Sequence, residues 1–165
     1  ASLPGNWITL RQAVEKSRNG AAWWLFNEVT PEEGLSYLTQ MQFDKIVPDD
    51  YNMAASLGGF TYGVTAEEMA GAFGALENGG VYREPDCIVR MENLAGEDIY
   101  TGREPKEVYS QQTAAVMVDV MKGVISRGTA RGMGWKSGIE AAGKTGTTNN
   151  SKDQLPAFAG HGHRT

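Results

Sequence analysis

Ser137 to Asn150 read SGIEAAGKTGTTNN, and these letters can be parsed as two different chemistries. Gly138, Gly143, Lys144 and Thr145 satisfy G-x-x-x-x-G-K-[ST], the loop whose backbone amides cradle nucleotide phosphates. Taken from Lys144 onward, K-T-G-T sets one cation beside the hydroxyls of Thr145 and Thr147, a group suited to gripping a carboxylate. The phosphate loop works only between a buried apolar strand and a helix whose N-terminus faces the phosphates. Here RGTARGMGWKS precedes it and GTTNNSKDQLP follows it, a glycine-rich approach and a poor helix start. An apolar strand ending in aspartate, for magnesium, is missing downstream. The nucleotide reading fails on context.

Other residues with chemical potential are weaker signals. Ser17-Arg18-Asn19 is a Ser-x-Asn triplet, and most such triplets are loop or capping residues. None of the eight serines has a lysine three residues on, so no serine carries a lysine base at helical spacing. Cys87 is the single cysteine, which rules out an internal disulfide. Its context, DCIVRM, reads as a strand holding a buried structural thiol. His161 and His163, beside Arg164, read as a frayed tail rather than metal ligands. Arg127, Arg131 and Lys136 read as solvated loop cations rather than a rim for an anion. Trp23 and Trp24, at helical spacing among Ala, Leu and Phe, are expected to pack in a core rather than bind glycan.

Composition is consistent with an ordinary globular chain of one domain's length: 165 residues, 41% hydrophobic and 21% charged. A net charge of −5 supplies no footprint for nucleic acid. No apolar run is long enough to span a bilayer, and no signal peptide is evident.

The elements that must carry these residues have clear start signals. Thr9-Leu10-Arg11-Gln12 is a capping box, predicting a short helix to about Lys16, interrupted by SRNG. AAWWLFNEV resumes helical periodicity, and Thr30-Pro31-Glu32-Glu33 starts a further helix. QFDKIVPDDYN reads as a connector. Thr65 and Glu68 box the start of TAEEMAGAFGALENGG, with Met69, Phe73 and Leu76 on one face and Gly79 at the C-cap. The period then shifts to two: CIVRM, a turn at ENLAGED, and IY suggest a small hairpin. SQQTAAVMVDVMKGVIS is a long helix capped by Ser110, and IEAAGKTGTT reads as a strand. The fold class is α+β, helix-rich with a partial antiparallel sheet.

In this setting AGKTGTTNNSKD resembles the K-T-G motif of the penicillin-binding proteins and serine β-lactamases. TLRQAVEKSRN resembles the helix and loop of their Ser-x-Asn motif. SLGGFTYGVTAEEMAGAFGALENGG and YSQQTAAVMVDVMKGVISRGTA are similar to flanking segments of bifunctional glycosyltransferase–transpeptidase members, which disfavours a β-lactamase. The resemblance runs from about Trp7 to Asp153. It implies peptidoglycan D,D-transpeptidation at the extracytoplasmic face of a bacterial membrane: a serine attacks the D-Ala-D-Ala amide, D-alanine leaves, and a second stem's amine takes the acyl group. β-Lactams would bind in the same place, and no cofactor or metal is implied.

The resemblance also implies roles. Lys144 would set a positive potential and hold Ser17 by a hydrogen bond. Ser17 would relay a proton to the leaving nitrogen, and Asn19 would bind the substrate amide. Thr145 and Thr147 would offer hydroxyls to the substrate carboxylate, and the Thr147 N–H would form half of an oxyanion hole. Such a donor contributes roughly 3–4 kcal/mol in other acyl transferases. Gly146 would keep the strand edge open.

The missing Ser-x-x-Lys leads to the expectation that residues 1–165 are the C-terminal part of one transpeptidase domain, inactive alone, with 154–165 an atypical tail. A non-catalytic binding or sensor module is the alternative. The resemblance implies a strand that hairpins back on the K-T-G strand, and Pro156, which removes a ladder donor, argues against that pairing. The family sheet draws strands from both ends of the domain, so an expected lack of the N-terminal ones would leave a K-T-G edge unpaired and favour self-association.

Overall fold

The computed structural model describes residues 7–133 and 140–147, together with the backbone of 157–161. Lys136, His163 and the 148–150 stretch of the motif lie outside the described residues. The described chain has five α-helices and two small antiparallel sheets, an α+β arrangement.

Local chemistry explains where the helices begin. Helix α1, Leu10–Glu15, has the full Thr9–Gln12 capping box. Helix α2 spans Asn19–Val29, so the break between the first two helices is shorter than SRNG suggests. Helix α3, Pro31–Gln40, starts with proline at its first position and the Thr30 hydroxyl as acceptor for Glu33 N–H. Helix α4, Ala66–Glu77, carries the Thr65–Glu68 box, and helix α5, Gln111–Ser126, is capped by Ser110.

Helix α4 ends in a Schellman motif. Gly80 N–H donates to Ala75 O at 2.8 Å, and Gly79 takes the left-handed turn at φ 66°. Strand β1, Val81–Tyr82, follows and pairs with β2, Lys106–Glu107. Met41, Phe43, Ala75 and Tyr82 form a buried cluster here, with Tyr109 stacked on Tyr37 at 5.4 Å. The predicted hairpin over 87–100 is reduced to one bridge, Glu92↔Asp98, and Cys87 is exposed. Apolar letters in CIVRM were misread as burial; Val89 is 94% exposed, so this segment has no core face to pack.

Strand β3, Glu140–Lys144, pairs antiparallel with β4, Ala157–His161, from Glu140↔His161 to Lys144↔Ala157. The pairing is present although Pro156 argued against it. The ladder begins at Ala157, one residue past Pro156, and so asks no backbone donor of the proline. It also puts His161 in a strand rather than a frayed tail. Helix α5 packs on β3 and on α1, and α4 packs on α5 and β4. Ala114, Met121 and Val124 of α5, Ala13 of α1, and Ala141 and Ala142 of β3 are buried.

The connector 44–63 is organised by one buried carboxylate. Asp50, 1% exposed, accepts from Val47 N–H at 3.0 Å and from Thr61 N–H and hydroxyl at 2.7 Å each. These bonds, led by that from Val47, hold its pKa below the ordinary 3.8. The stabilisation is therefore complete above the ordinary value and is lost as pH falls through the folded one. We expect the melting temperature to drop as pH falls below the ordinary value of 3.8, and Asp50→Asn to lower stability at neutral pH and flatten that drop. Melting curves for both proteins across the window check this, and parallel curves would refute it.

Candidate active site

Ser17 sits at a second Schellman motif, where α1 ends. Ser17 N–H donates to Val14 O at 3.1 Å and Arg18 N–H to Ala13 O at 2.9 Å. Ser17 takes the left-handed position at φ 50°. At the end of α4 the same position is filled by glycine; here a serine bears a conformation that disfavours any Cβ. Strain of this kind persists where surrounding bonds over-determine it, and it concentrates at functional sites. Arg18 then extends the chain, and Asn19 begins α2.

Lys144 is the last residue of β3. It reaches across 127 positions of sequence to donate to the Ser17 hydroxyl at 2.7 Å, and also to Thr145 O at 2.9 Å. It is half-buried, and withdrawal of water pushes its pKa down from the ordinary 10.5. No carboxylate pairs with it among the described residues. A half-buried ammonium with no carboxylate partner among the described residues, facing an open cleft, can attract an anion. The Thr145 hydroxyl lies 2.7 Å from that of Thr129, while Gly146 and Thr147 are exposed at the strand's end.

These positions line one cleft of about 1050 Å³. Ser17 and Asn19 come from the α1–α2 junction, and Lys144, Thr145, Gly146 and Thr147 from β3 and its exit. Leu25, Leu57 and Met133 contribute apolar walls. The cleft thus combines two cations, Arg18 and Lys144, with several hydroxyls, an amide side chain and apolar lining. Because Gly143 and Lys144 are paired in a strand, they are not in a phosphate-cradling loop.

Two expectations about neighbouring residues are corrected. Trp23 and Trp24 are 48% and 54% exposed, and α2 has no buried residue. Its apolar character is real, but its contacts with α1, α3 and residues 53–57 leave both indoles about half exposed. Arg127 is not a free loop cation: it forms a bidentate pair with buried Glu15. Sequence reasoning overlooked Glu15 and Thr129, which join the site only through contacts remote in sequence.

Comparison with known proteins identifies the family and the fold. Residues 3–157 match the family model described as "Penicillin binding protein transpeptidase domain". Penicillin-binding protein 1F of Bacillus subtilis is 36% identical over 143 residues, covering 86% of this chain and 19% of that protein. Penicillin-binding protein 1A/1B of the same organism is 31% identical, over 92% of this chain and 16% of the relative. The chain therefore spans about a fifth of the length of such relatives. Among solved structures, penicillin-binding protein 1A from Haemophilus influenzae matches with a TM-score of 0.74 at 21% identity, covering 98% of this chain and 31% of that one. Penicillin-binding protein A from M. tuberculosis gives 0.73 at 23%, over 88% and 38%. With the fold, the cleft and the family match in agreement, the chain belongs to the penicillin-binding protein transpeptidase domain family.

Proposed function

We propose that this chain is the part of a peptidoglycan D,D-transpeptidase domain that binds the stem-peptide carboxylate and manages the proton during acyl transfer. The observation that carries the reading is the 2.7 Å hydrogen bond from Lys144 to Ser17, made by a desolvated, uncompensated ammonium beside K-T-G-T. A carboxylate entering the cleft finds that cation and the hydroxyls of Thr145 and Thr147, a charge-assisted set. As the scissile C–N bond breaks and an ester to a serine forms, the leaving nitrogen must gain a proton. The proton lost by the attacking serine is relayed through Ser17 to that nitrogen, while Lys144 stays an ammonium and orients the Ser17 hydroxyl. Asn19 binds the substrate amide, the Thr147 N–H stabilises the oxyanion, and Gly146 lets the substrate backbone lie along the strand.

The serine that forms the ester is not a Ser-x-x-Lys of this sequence. We propose that a longer polypeptide supplies it and works outside the cytoplasmic membrane. No described helix is itself long and apolar enough to cross a membrane. One M. tuberculosis relative in fold is described as an imipenem acyl-enzyme complex, which supports β-lactams as mimics of the substrate here. The alternative, a non-catalytic sensor module, would use the same carboxylate grip reversibly.

Intact-mass spectrometry tests the reading. The isolated chain is expected to gain no covalent penicillin, whereas a polypeptide that adds a Ser-x-x-Lys segment should gain one equivalent on that serine. Stoichiometric labelling of the isolated chain, or reversible binding only by the longer one, would overturn it.

The edge of β3 opposite β4 pairs with no strand among the described residues. We propose that it supports self-association of this chain. Light scattering should find dimers or larger species at micromolar concentration, and a monomer would count against the idea.

A further inference from the structure

We propose that Glu15 is a positioning residue for acyl transfer, clasping the Arg127–Thr129 loop to the end of α1 and so setting Ser17 against Lys144. This rests on the function proposed above. Glu15 is the last residue of α1, two before Ser17, and is 4% exposed. Its carboxylate accepts from Arg127 Nη2 at 2.6 Å and Nε at 3.1 Å, the two-point fork that fixes direction as well as distance. Its carbonyl, left without a helical partner at the end of α1, accepts from Thr129 N–H at 3.0 Å. Side chain and main chain of one residue therefore hold the same loop.

The loop in turn reaches the other half of the site. Thr129 and Thr145 hydroxyls lie 2.7 Å apart, and Thr145 follows Lys144. A continuous path of hydrogen bonds thus runs from the end of α1 through Thr129 to the exit of β3. The surroundings are shaped to receive it. A methyl group on Gly123 would overlap the Glu15 carboxylate, and one on Gly128 would overlap its carbonyl, so α5 and the loop leave room for Glu15 only by lacking side chains there.

Stability alone does not explain a carboxylate in this slot. Only the Glu15 end of the pair is buried while Arg127 is exposed, so the desolvation of the carboxylate offsets much of what the pair contributes to stability. A bidentate pair supplies angular register that an apolar contact lacks. Register matters here because Ser17 is held in a left-handed turn and must meet an ammonium on a different element. Misplacement of reacting groups by about 1 Å can cost on the order of a hundredfold in rate.

Two measurements on Glu15→Gln and Arg127→Lys test this. In a longer polypeptide with a Ser-x-x-Lys segment, stopped-flow labelling with a fluorescent penicillin separates Kd from the first-order acylation constant. Glu15→Gln is expected to lower that constant roughly tenfold to a hundredfold with Kd within about twofold. Arg127→Lys, which keeps the charge but loses the fork, should fall between. In the chain itself, the Lys144 titration followed at its 13Cε signal should move back toward that of free lysine in both variants. An unchanged acylation constant, or a fall that tracks loss of folded protein, overturns the clasp. Should the longer wild type not acylate at all, the functional reading fails, and the titration still decides: a shift supports the clasp and no shift refutes it. If Glu15→Gln does not fold, Arg127→Lys, altered on the exposed side of the pair, carries both measurements.

Discussion

Lys144→Ala, in a polypeptide that joins this chain to a Ser-x-x-Lys segment, should slow acylation by penicillin about 10²–10³-fold, the range for loss of one preorganised charge or donor at an acyl-transfer site. The substitution removes the ammonium that faces the cleft and the 2.7 Å bond that orients the Ser17 hydroxyl. Lys144→Arg keeps a cation but replaces a compact ammonium by a planar fork, which matches one hydroxyl and one carbonyl poorly, so a partial loss is expected. Melting temperatures should stay close to wild type. The lysine is desolvated without a charge partner among the described residues, so its removal relieves a penalty as well as deleting two hydrogen bonds. Stopped-flow labelling and thermal melts provide both numbers. Unchanged acylation in a folded Lys144→Ala would remove the support for GKTGTT as the carboxylate grip.

Ser17→Gly should have opposite effects on stability and activity. Serine at φ 50° carries left-handed strain, and glycine at C′ of a Schellman motif does not. A gain of about 1 kcal/mol is expected from relief of that strain, less the entropy glycine loses on folding. The same change deletes the hydroxyl that passes a proton to the leaving nitrogen, for a loss of roughly 10²–10⁴-fold, the usual span for general acid catalysis. The defect should be largest with an amide substrate and smallest with a thioester, whose sulfur leaves without a proton. Comparing the two substrates separates proton transfer from simple misplacement. Equal loss on both, or no gain in melting temperature, would count against the assigned strain and role.

Much of this molecule is readable where the determining chemistry is local. Thr9, Thr30, Thr65 and Ser110 cap helices because each hydroxyl accepts an N–H three residues away. The start of α2 was harder to read, since Arg18 makes no side-chain cap. The six candidate site residues are implied by the resemblance of two short motifs and their flanking segments to a known family, and they line one cleft. What stayed hidden depends on tertiary contact. Periodicity marks Trp23 and Trp24 as apolar but not what would cover them, and CIVRM looks like a strand without a face to bury. The Glu15–Arg127 pair joins residues 112 positions apart, so neither reads as a partner for the other. Pro156 argues against a hairpin in the sequence because sequence alone does not give the residue at which a ladder begins, here Ala157.

The central claim is that Ser17 and Lys144 act as one unit in acyl transfer, and a double-mutant cycle on the acylation constant tests it most directly. With Ser17→Gly, Lys144→Ala and the double variant in the longer polypeptide, we predict that the double variant acylates about as slowly as the slower single one, because either change already breaks the same relay. Losses that multiply, with the double variant slower by the product of the two single effects, would contradict the account.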